Sequence, residues 1–185
     1  ELEEDFTKYT KRKDFYSLLN LFDRTYPPKI TENPEFRKLR GLANLNQDKI
    51  DVLSVREDFQ FCLKMRFEDA DLMREWLKFE RNNNSSYFDQ IQICDAVISG
   101  KSYADRVKAE FQKKRAGVYF HRGRDTAQTD AYDDYEKALY DHAHSFKFFL
   151  ENGYDTMHQA VIYRSSAFST FICGKQLGYD KEIMN

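Results

Sequence analysis

Apolar side chains recur every three or four residues along most of this chain, which is the period of an α-helix that buries one face. The clearest run covers 130–151, where one stripe comprises Ala131, Tyr135, Ala138, Leu139, His142, Phe146, Phe149 and Leu150. This stripe predicts a helix in which His142 is a core residue. Similar runs predict seven more helices, over about 4–23, 33–45, 49–65, 70–81, 87–99, 102–122 and 154–178.

Residues that begin and end helices stand between these runs. Asn33 before Pro34, Asp69 before an apolar run, and Ser102 with Asp105 three positions later all predict helix N-termini. A last helix is capped by Asp155 or Thr156, and the predicted helix ends fall at Pro27-Pro28, Gly100, Gly123 and Asn152-Gly153.

The order of these elements predicts one all-α domain over 1–185, because short connections make neighbouring helices antiparallel. Only 7 Gly and 3 Pro agree with this class, since a sandwich of many short strands needs more turn residues. We expect three helical hairpins, 33–65, 69–99 and 102–152, flanked by helices within 1–26 and 154–178.

Small residues mark the points where paired helices approach most closely. Ala116 precedes Tyr119 by three positions, and Ala138 follows on the partner helix. The matching positions are Ala43 in the first hairpin and Leu77 in the second. The spacing is therefore 34 residues from Ala43 to Leu77 and 39 residues from Leu77 to Ala116. This pattern resembles the tetratricopeptide repeat, whose period is 34 residues. The resemblance implies a right-handed α-solenoid with a groove lined by the first helix of each hairpin.

The second hairpin also resembles the half-a-TPR repeat of RNA-processing scaffolds, in which aromatic residues three apart precede an aromatic-Glu pair. The corresponding positions here are Met73, Trp76, Phe79 and Glu80. This resemblance implies an RNA-processing assembly factor as an alternative function. A basic cluster near the start, interleaved with aromatic residues, is compatible with an RNA contact, although a solvated helix face is the favoured interpretation: Lys8, Lys11, Arg12 and Lys13.

The tetratricopeptide resemblance implies that outward residues of the first helices bind a partner segment. These residues are Arg37, Arg40, Asn44, Arg74, Lys78, Arg81, Lys113, Lys114, Phe120 and His121. Arg40, Asn44 and Lys114 match positions with which some family members clamp a C-terminal carboxylate. Glu75 and Glu110 stand at other clamp positions, where they would repel a carboxylate. We therefore expect a basic groove for an acidic or phosphorylated, peptide-like segment.

Charge elsewhere in the chain leaves an alternative open. Asp133, Asp134 and Asp141 can pair with the basic residues of 102–122 inside the same hairpin. The predicted groove would then be an ordinary solvated helix face. The formal net charge of −2 gives no overall field that directs the chain to nucleic acid or to a membrane.

Arg115 and His121 form the one pattern to which a reaction can be attached. With Arg122 and Arg124 after them, they resemble the R-x4–6-H motif of HEPN ribonucleases, which are small all-α proteins. The resemblance implies an endoribonuclease with Arg115 and His121 as catalytic residues. Six positions along one continuous helix, however, turn the two side chains roughly 120° apart.

The remaining motifs argue against other classes of function. Cys62, Cys94 and Cys173 lie in apolar helical patterns and predict buried free thiols in an intracellular protein. No apolar run approaches the ~20 residues of a membrane span. No phosphate-binding loop or metal-ligand spacing occurs, so we expect neither a cofactor nor a metal. The acidic first residues look like the boundary of a piece of a longer protein.

The sequence therefore favours a non-enzymatic protein-interaction or scaffold module whose partner is a protein segment. The HEPN-like endoribonuclease and the RNA-processing assembly factor are the alternatives. The nuclease differs from the interaction module in one observable, because a nuclease must bring Arg115 and His121 together on one exposed surface.

Overall fold

The computed structural model describes residues 2–12, 14–24, 32–83, 85–125, 131–153, 172–175 and 177–178. These ranges are helical and contain no strand, which confirms the predicted all-α class. The helices are α1 Leu2–Arg12, α2 Phe15–Arg24, α3 Pro34–Leu45, α4 Val52–Lys64, α5 Ala70–Asn82, α6 Tyr87–Ser99, α7 Asp105–Asp125 and α8 Ala131–Glu151. A four-residue helical stretch covers 172–175.

Two of the predicted helix N-termini are confirmed by their hydrogen bonds. Asn33 Oδ1 accepts from the N–H of Glu35 at 2.9 Å and begins α3. Asp69 Oδ1 accepts from the N–H groups of Asp71 and Leu72, both at 2.9 Å, and begins α5. Each side chain thereby satisfies backbone donors that the first helical turn leaves unpaired.

The single helix predicted over 4–23 is wrong, because the chain forms α1 and α2 there. Asp14 causes the break: its Oδ1 accepts from the N–H of Ser17, and its Oδ2 accepts from the Ser17 hydroxyl. These two hydrogen bonds also lower the pKa of Asp14. An Asp side chain that caps the following turn competes with continuation of the preceding helix.

Both predicted ends of the 102–122 helix are wrong. The helix α7 begins at Asp105 rather than Ser102, with the Ala104 carbonyl accepting its first backbone bonds. It also continues through Gly123 to Asp125. A Cβ at Gly123 would lie 3.2 Å from the Ala131 carbonyl oxygen, so this glycine permits close approach of α8 instead of ending α7.

One further predicted helix start differs from the structure, and several predicted boundaries lie outside the described residues. The helix predicted from 49 begins at Val52, because Asp51 Oδ1 accepts from the N–H of Ser54 at 3.2 Å. The predicted stop at Pro27-Pro28 and the caps at Asp155 or Thr156 lie outside the described residues. The same holds for the helix predicted over 154–178, apart from 172–175 and 177–178.

The chain divides into two compact units, Glu1–Leu72 and Met73–Asn185. In the first unit, α2 packs against α3 and α3 packs against α4. Leu18, Phe22 and Ala43 are buried together at its core. The helices α3 and α4 run antiparallel, since the Cys62 thiol near the end of α4 contacts the carbonyl of Pro34 at the start of α3.

In the second unit α7 packs against both α6 and α8. Arg122 pairs with Asp134 near one end of the α7–α8 hairpin, and Arg115 pairs with Asp141 further along it. This register makes α7 and α8 antiparallel. Ala116 and Ala138 are fully buried in this unit, as expected for positions of close helix contact, and His142 is 3% exposed and is the predicted core histidine.

The helix α6 is also antiparallel to α7, whereas α5 is parallel to it. Arg115 contacts Asp95, and the Tyr87 hydroxyl at the start of α6 donates to Asp125 at the end of α7. By contrast, α5 contacts α7 in ascending order, with Arg74 on Glu110 and then Arg81 on the carbonyl of Lys114.

All three cysteines are buried free thiols, as predicted. Burial raises the pKa of Cys62 and of Cys94 to about 12 and the pKa of Cys173 to about 11. Thiols with such pKa values stay protonated at neutral pH, so they behave as small apolar side chains rather than as nucleophiles.

Candidate functional site

Four of the residues predicted to line a groove surround one cavity in the second unit. Arg74, Lys78 and Arg81 follow one face of α5, and Lys114 meets them from α7. The cavity has a volume of about 280 Å³. We call it the α5–α7 groove, and its lining is Arg74, Glu75, Leu77, Lys78, Arg81, Asn82 and Lys114.

Arg74 is held at this groove by Glu110 of α7. Its Nη2 donates to Glu110 Oε2 at 2.7 Å, and its Nε lies 3.1 Å from both carboxylate oxygens. Lys114 Nζ adds a contact at 3.5 Å. Burial opposes the ionisation of Glu110, but hydrogen bonding to Arg74 and the charges of Arg74 and Lys114 together lower its pKa. Glu110 thus fixes the orientation of one groove cation.

Lys78 and Arg81 are engaged more loosely. The Lys78 ammonium lies 3.7 Å from Glu75, and both side chains are at least half exposed. Arg81 Nη2 donates to the Lys114 carbonyl at 3.3 Å, and within the described ranges no carboxylate pairs with it. The groove and Glu110 therefore hold four cations and two carboxylates, an excess of positive charge.

His121 lies at the same side of α7, beyond Lys114, and is exposed. Partial burial and the positive charges of Arg124 and Arg81 lower its pKa, against an opposing effect of Asp125. Its electrostatic coupling to Arg81 of α5 indicates that the positive field of the groove extends toward the end of α7.

Lys113 and Phe120 instead face α8. Phe120 packs its ring 5.8 Å from that of Tyr135. Burial and the neighbouring Lys114 lower the pKa of Lys113, whose charge in turn acts on the buried His142 of α8. Phe120 therefore contributes to the α7–α8 packing, and Lys113 lies seven positions earlier on the same side of α7.

Three predicted groove residues belong to the first unit and contact α4. Asp58, which is fully buried, accepts from Arg37 Nη1 at 2.7 Å and from Arg40 Nε at 2.8 Å. Asn44 Nδ2 lies 3.5 Å from the Ser54 hydroxyl. The two guanidinium groups compensate the buried Asp58 charge and join α3 to α4. The sequence pattern does not reveal this role of Asp58, because the residue lies among apolar positions of α4.

Arg115 and His121 have different neighbours in the structure. Arg115 donates through Nε and Nη2 to both carboxylate oxygens of Asp141 at 2.7 Å and through Nη1 to Asp95. The nearest described aromatic contact of His121 is Phe120, with ring centroids 5.7 Å apart. The acidic residues expected to neutralise α7 are confirmed at Asp134 and Asp141, which bind Arg122 and Arg115.

Three further properties of the chain concern metal binding, membrane spanning and similarity to known proteins. Among the described residues, no group of three or more His, Cys, Asp or Glu side chains is arranged to hold a metal ion. No helix within the same ranges has the length and apolar character needed to cross a membrane. No protein-family model, curated protein or solved structure matches the chain.

Proposed function

We propose that this chain is a non-enzymatic protein-interaction module that holds an acidic, peptide-like segment of a partner in the α5–α7 groove. The observation that carries the proposal is the convergence of Arg74, Lys78, Arg81 and Lys114 from two parallel helices on one cavity of about 280 Å³. Peptide-binding grooves that recognise acidic or phosphorylated segments use such clusters of cations.

The architecture that we propose for the module is a right-handed, tetratricopeptide-like α-solenoid. Its support is the arrangement of α6, which runs antiparallel to α7 while α5 runs parallel to it. The contacting pairs Arg74–Glu110 and Arg81–Lys114 are separated by 36 and 33 residues. Stacked hairpins of about 34 residues bring successive first helices side by side with this offset.

The proposed binding chemistry assigns different roles to the groove cations. Arg74 is oriented by Glu110 and supplies a fixed positive charge. Lys78 and Arg81 can turn their donors to a carboxylate or phosphoryl group, because their present contacts are a 3.7 Å ion pair and a carbonyl. Both charge-assisted hydrogen bonds and the net positive field then favour an acidic segment.

The experiment compares two fluorescein-labelled decapeptides, one of alternating Glu and Ser and one of alternating Arg and Ser, by fluorescence anisotropy. The chain should bind the acidic peptide, and Lys78→Glu with Arg81→Glu should weaken that binding at least about tenfold, which corresponds to about 1.4 kcal/mol. The matched control is Lys49→Glu with Lys64→Glu, two exposed residues of the first unit.

Equal loss of affinity in the groove variant and the control variant contradicts the proposal, since the binding would then be a general charge effect. Binding of the acidic peptide that resists both variants moves the site away from the groove. A labelled single-stranded RNA that competes with the peptide and depends on Lys78 and Arg81 favours the RNA-processing alternative.

A further inference from the structure

A second and larger cavity lies on another side of α7, between α7 and α8. Its volume is about 580 Å³. We call it the α7–α8 cavity, and its lining is Arg115, Tyr119, Asp133, Glu136, Lys137, Tyr140 and Asp141. None of these residues lines the α5–α7 groove, so the second unit carries two separate concave surfaces that share α7.

Two aromatic side chains form walls of this cavity. Tyr140 is 60% exposed, and its ring stacks on His144 with centroids 4.5 Å apart, which fixes the orientation of an otherwise mobile side chain. Tyr119 stands opposite on α7, where the cations of Arg115, Arg122 and Lys137 lie 5.3 to 5.9 Å from its ring centroid. Tyr140 has no cation over its ring among the contacts of the described residues.

The charges at this cavity are unequally compensated. Arg115 is saturated by Asp141, which is 1% exposed, and by Asp95 beside it. Asp133 and Glu136 are exposed and form no ion pair within the part of the chain that the structure describes. The lining holds three carboxylates and two cations, and Lys137 is the one of these cations without a carboxylate partner in the described ranges.

We propose that the α7–α8 cavity binds an arginine or lysine side chain from a basic segment of a partner protein. The cation would lie over the exposed Tyr140 ring, where the ring quadrupole attracts it, with Asp133 and Glu136 as its ion-pair partners. The buried Arg115–Asp141 pair holds the two helices, and so the two walls, in register. This site is independent of the α5–α7 groove, and its occupant has the opposite charge.

The test titrates the alternating Arg-Ser decapeptide against variants of the full chain. Asp133→Asn with Glu136→Gln should weaken binding at least about fivefold, whereas Lys137→Gln should strengthen it because it removes the competing cation. Tyr140→Ala should weaken binding, and Tyr140→Phe should retain it, since the ring face rather than the hydroxyl attracts the cation. The matched charge control is Asp48→Asn with Glu57→Gln, two exposed acids of the first unit.

Circular dichroism first verifies that each variant is folded, and all substituted residues at the cavity are exposed. A basic peptide that binds equally to the cavity variant and to the charge control overturns the proposal. Weaker binding after Lys137→Gln overturns it as well. The acidic decapeptide is measured with the same variants: its binding should not change, so failure at the cavity and failure at the groove give different results.

Discussion

Arg74 of α5 and Glu110 of α7 form an ion pair with a shortest N–O distance of 2.7 Å, and this pair joins two parallel helices. The two paired residues are 36 positions apart in the sequence, and the antiparallel helix α6 lies between α5 and α7 along the chain. The same pair orients a cation at the α5–α7 groove. One contact therefore links the relative direction of α5 and α7 to the proposed binding chemistry.

Glu110→Gln should have opposite effects on stability and on binding. Loss of a partly exposed ion pair should cost at most about 1 kcal/mol of unfolding free energy, measured by urea denaturation. Removal of the carboxylate should strengthen binding of the acidic decapeptide, because the groove then gains net positive charge while the amide oxygen of the new side chain still accepts from Arg74. A variant that binds the acidic peptide less well contradicts the assignment of the groove.

The pH dependence of the Glu110 contribution has a defined sign. The pKa of Glu110 is lowered from its ordinary value of 4.5 in the folded protein. Its contribution to the free energy of unfolding is therefore present above pH 4.5 and is lost as the pH falls through the folded pKa. The stability difference between the wild type and Glu110→Gln should therefore vanish in acid. A difference that persists in strong acid would show that the pair is not its source.

Asp141→Asn should destabilise the second unit much more than Asp95→Asn, although both carboxylates contact Arg115. Asp141 is 1% exposed, and its replacement leaves a partly buried guanidinium with a weaker partner, at a cost of about 2 kcal/mol. Asp95 is 50% exposed, so its replacement should cost less than about 1 kcal/mol. Equal midpoints for the two variants in urea denaturation would contradict this account.

Ala138→Leu should cost about 1–3 kcal/mol, because Ala138 is fully buried and a larger side chain overpacks the helix contact. Ala143→Leu is the matched control, since it makes the same substitution at an exposed position of α8. Thermal denaturation followed by circular dichroism compares the two. An unchanged melting temperature for Ala138→Leu would mean that α8 does not pack through this position.

His142 should make the folded state sensitive to mild acid. Burial and the charge of Lys113 lower its pKa from 6.5 to about 4. The unfolded chain therefore binds a proton that the folded chain does not bind between these values, and stability is full above pH 6.5 and falls toward pH 4. Between about pH 7.5 and pH 4.5 this loss should be of the order of 2 kcal/mol.

The control for this dependence is a pair of variants on the same helix. His142→Gln should remove the acid-sensitive component from urea denaturation curves, while His144→Gln, at an exposed position, should retain it. If both variants keep the wild-type pH profile, the acid sensitivity comes from other groups.

The ribonuclease hypothesis predicts metal-independent RNA cleavage that depends on His121. We expect the purified chain to leave single-stranded and structured RNA intact, because Arg115 is engaged by Asp141 and Asp95 while His121 is coupled to Arg81 and Arg124. Gel electrophoresis of labelled RNA is the measurement. Cleavage that disappears in a folded His121→Ala variant would establish the nuclease instead.

Local signals in the sequence predicted much of the helical structure. The caps Asn33 and Asp69 act through backbone donors two or three residues away, so a short stretch contains all the necessary information. Gly123 was misinterpreted because its role depends on α8, which approaches it closely, and a lone glycine does not distinguish this role from a helix end.

The candidate site was predicted less completely, since it depends on helix register. Arg74, Lys78 and Arg81 share a face of one helix, which the period of α5 reveals. The sequence did not indicate that Arg37 and Arg40 contact Asp58, because the α3–α4 register decides which residues of two helices meet. The α7–α8 cavity was missed for the same reason.

The most direct measurement of the proposed function is the mapping of amide chemical-shift changes by nuclear magnetic resonance during titration with the acidic decapeptide. The account predicts that the largest changes cluster on α5 and α7, around Arg74, Lys78, Arg81 and Lys114, and that Lys78→Glu with Arg81→Glu abolishes them. Changes centred on α3, on the basic residues of α1 or on the α7–α8 cavity would contradict it.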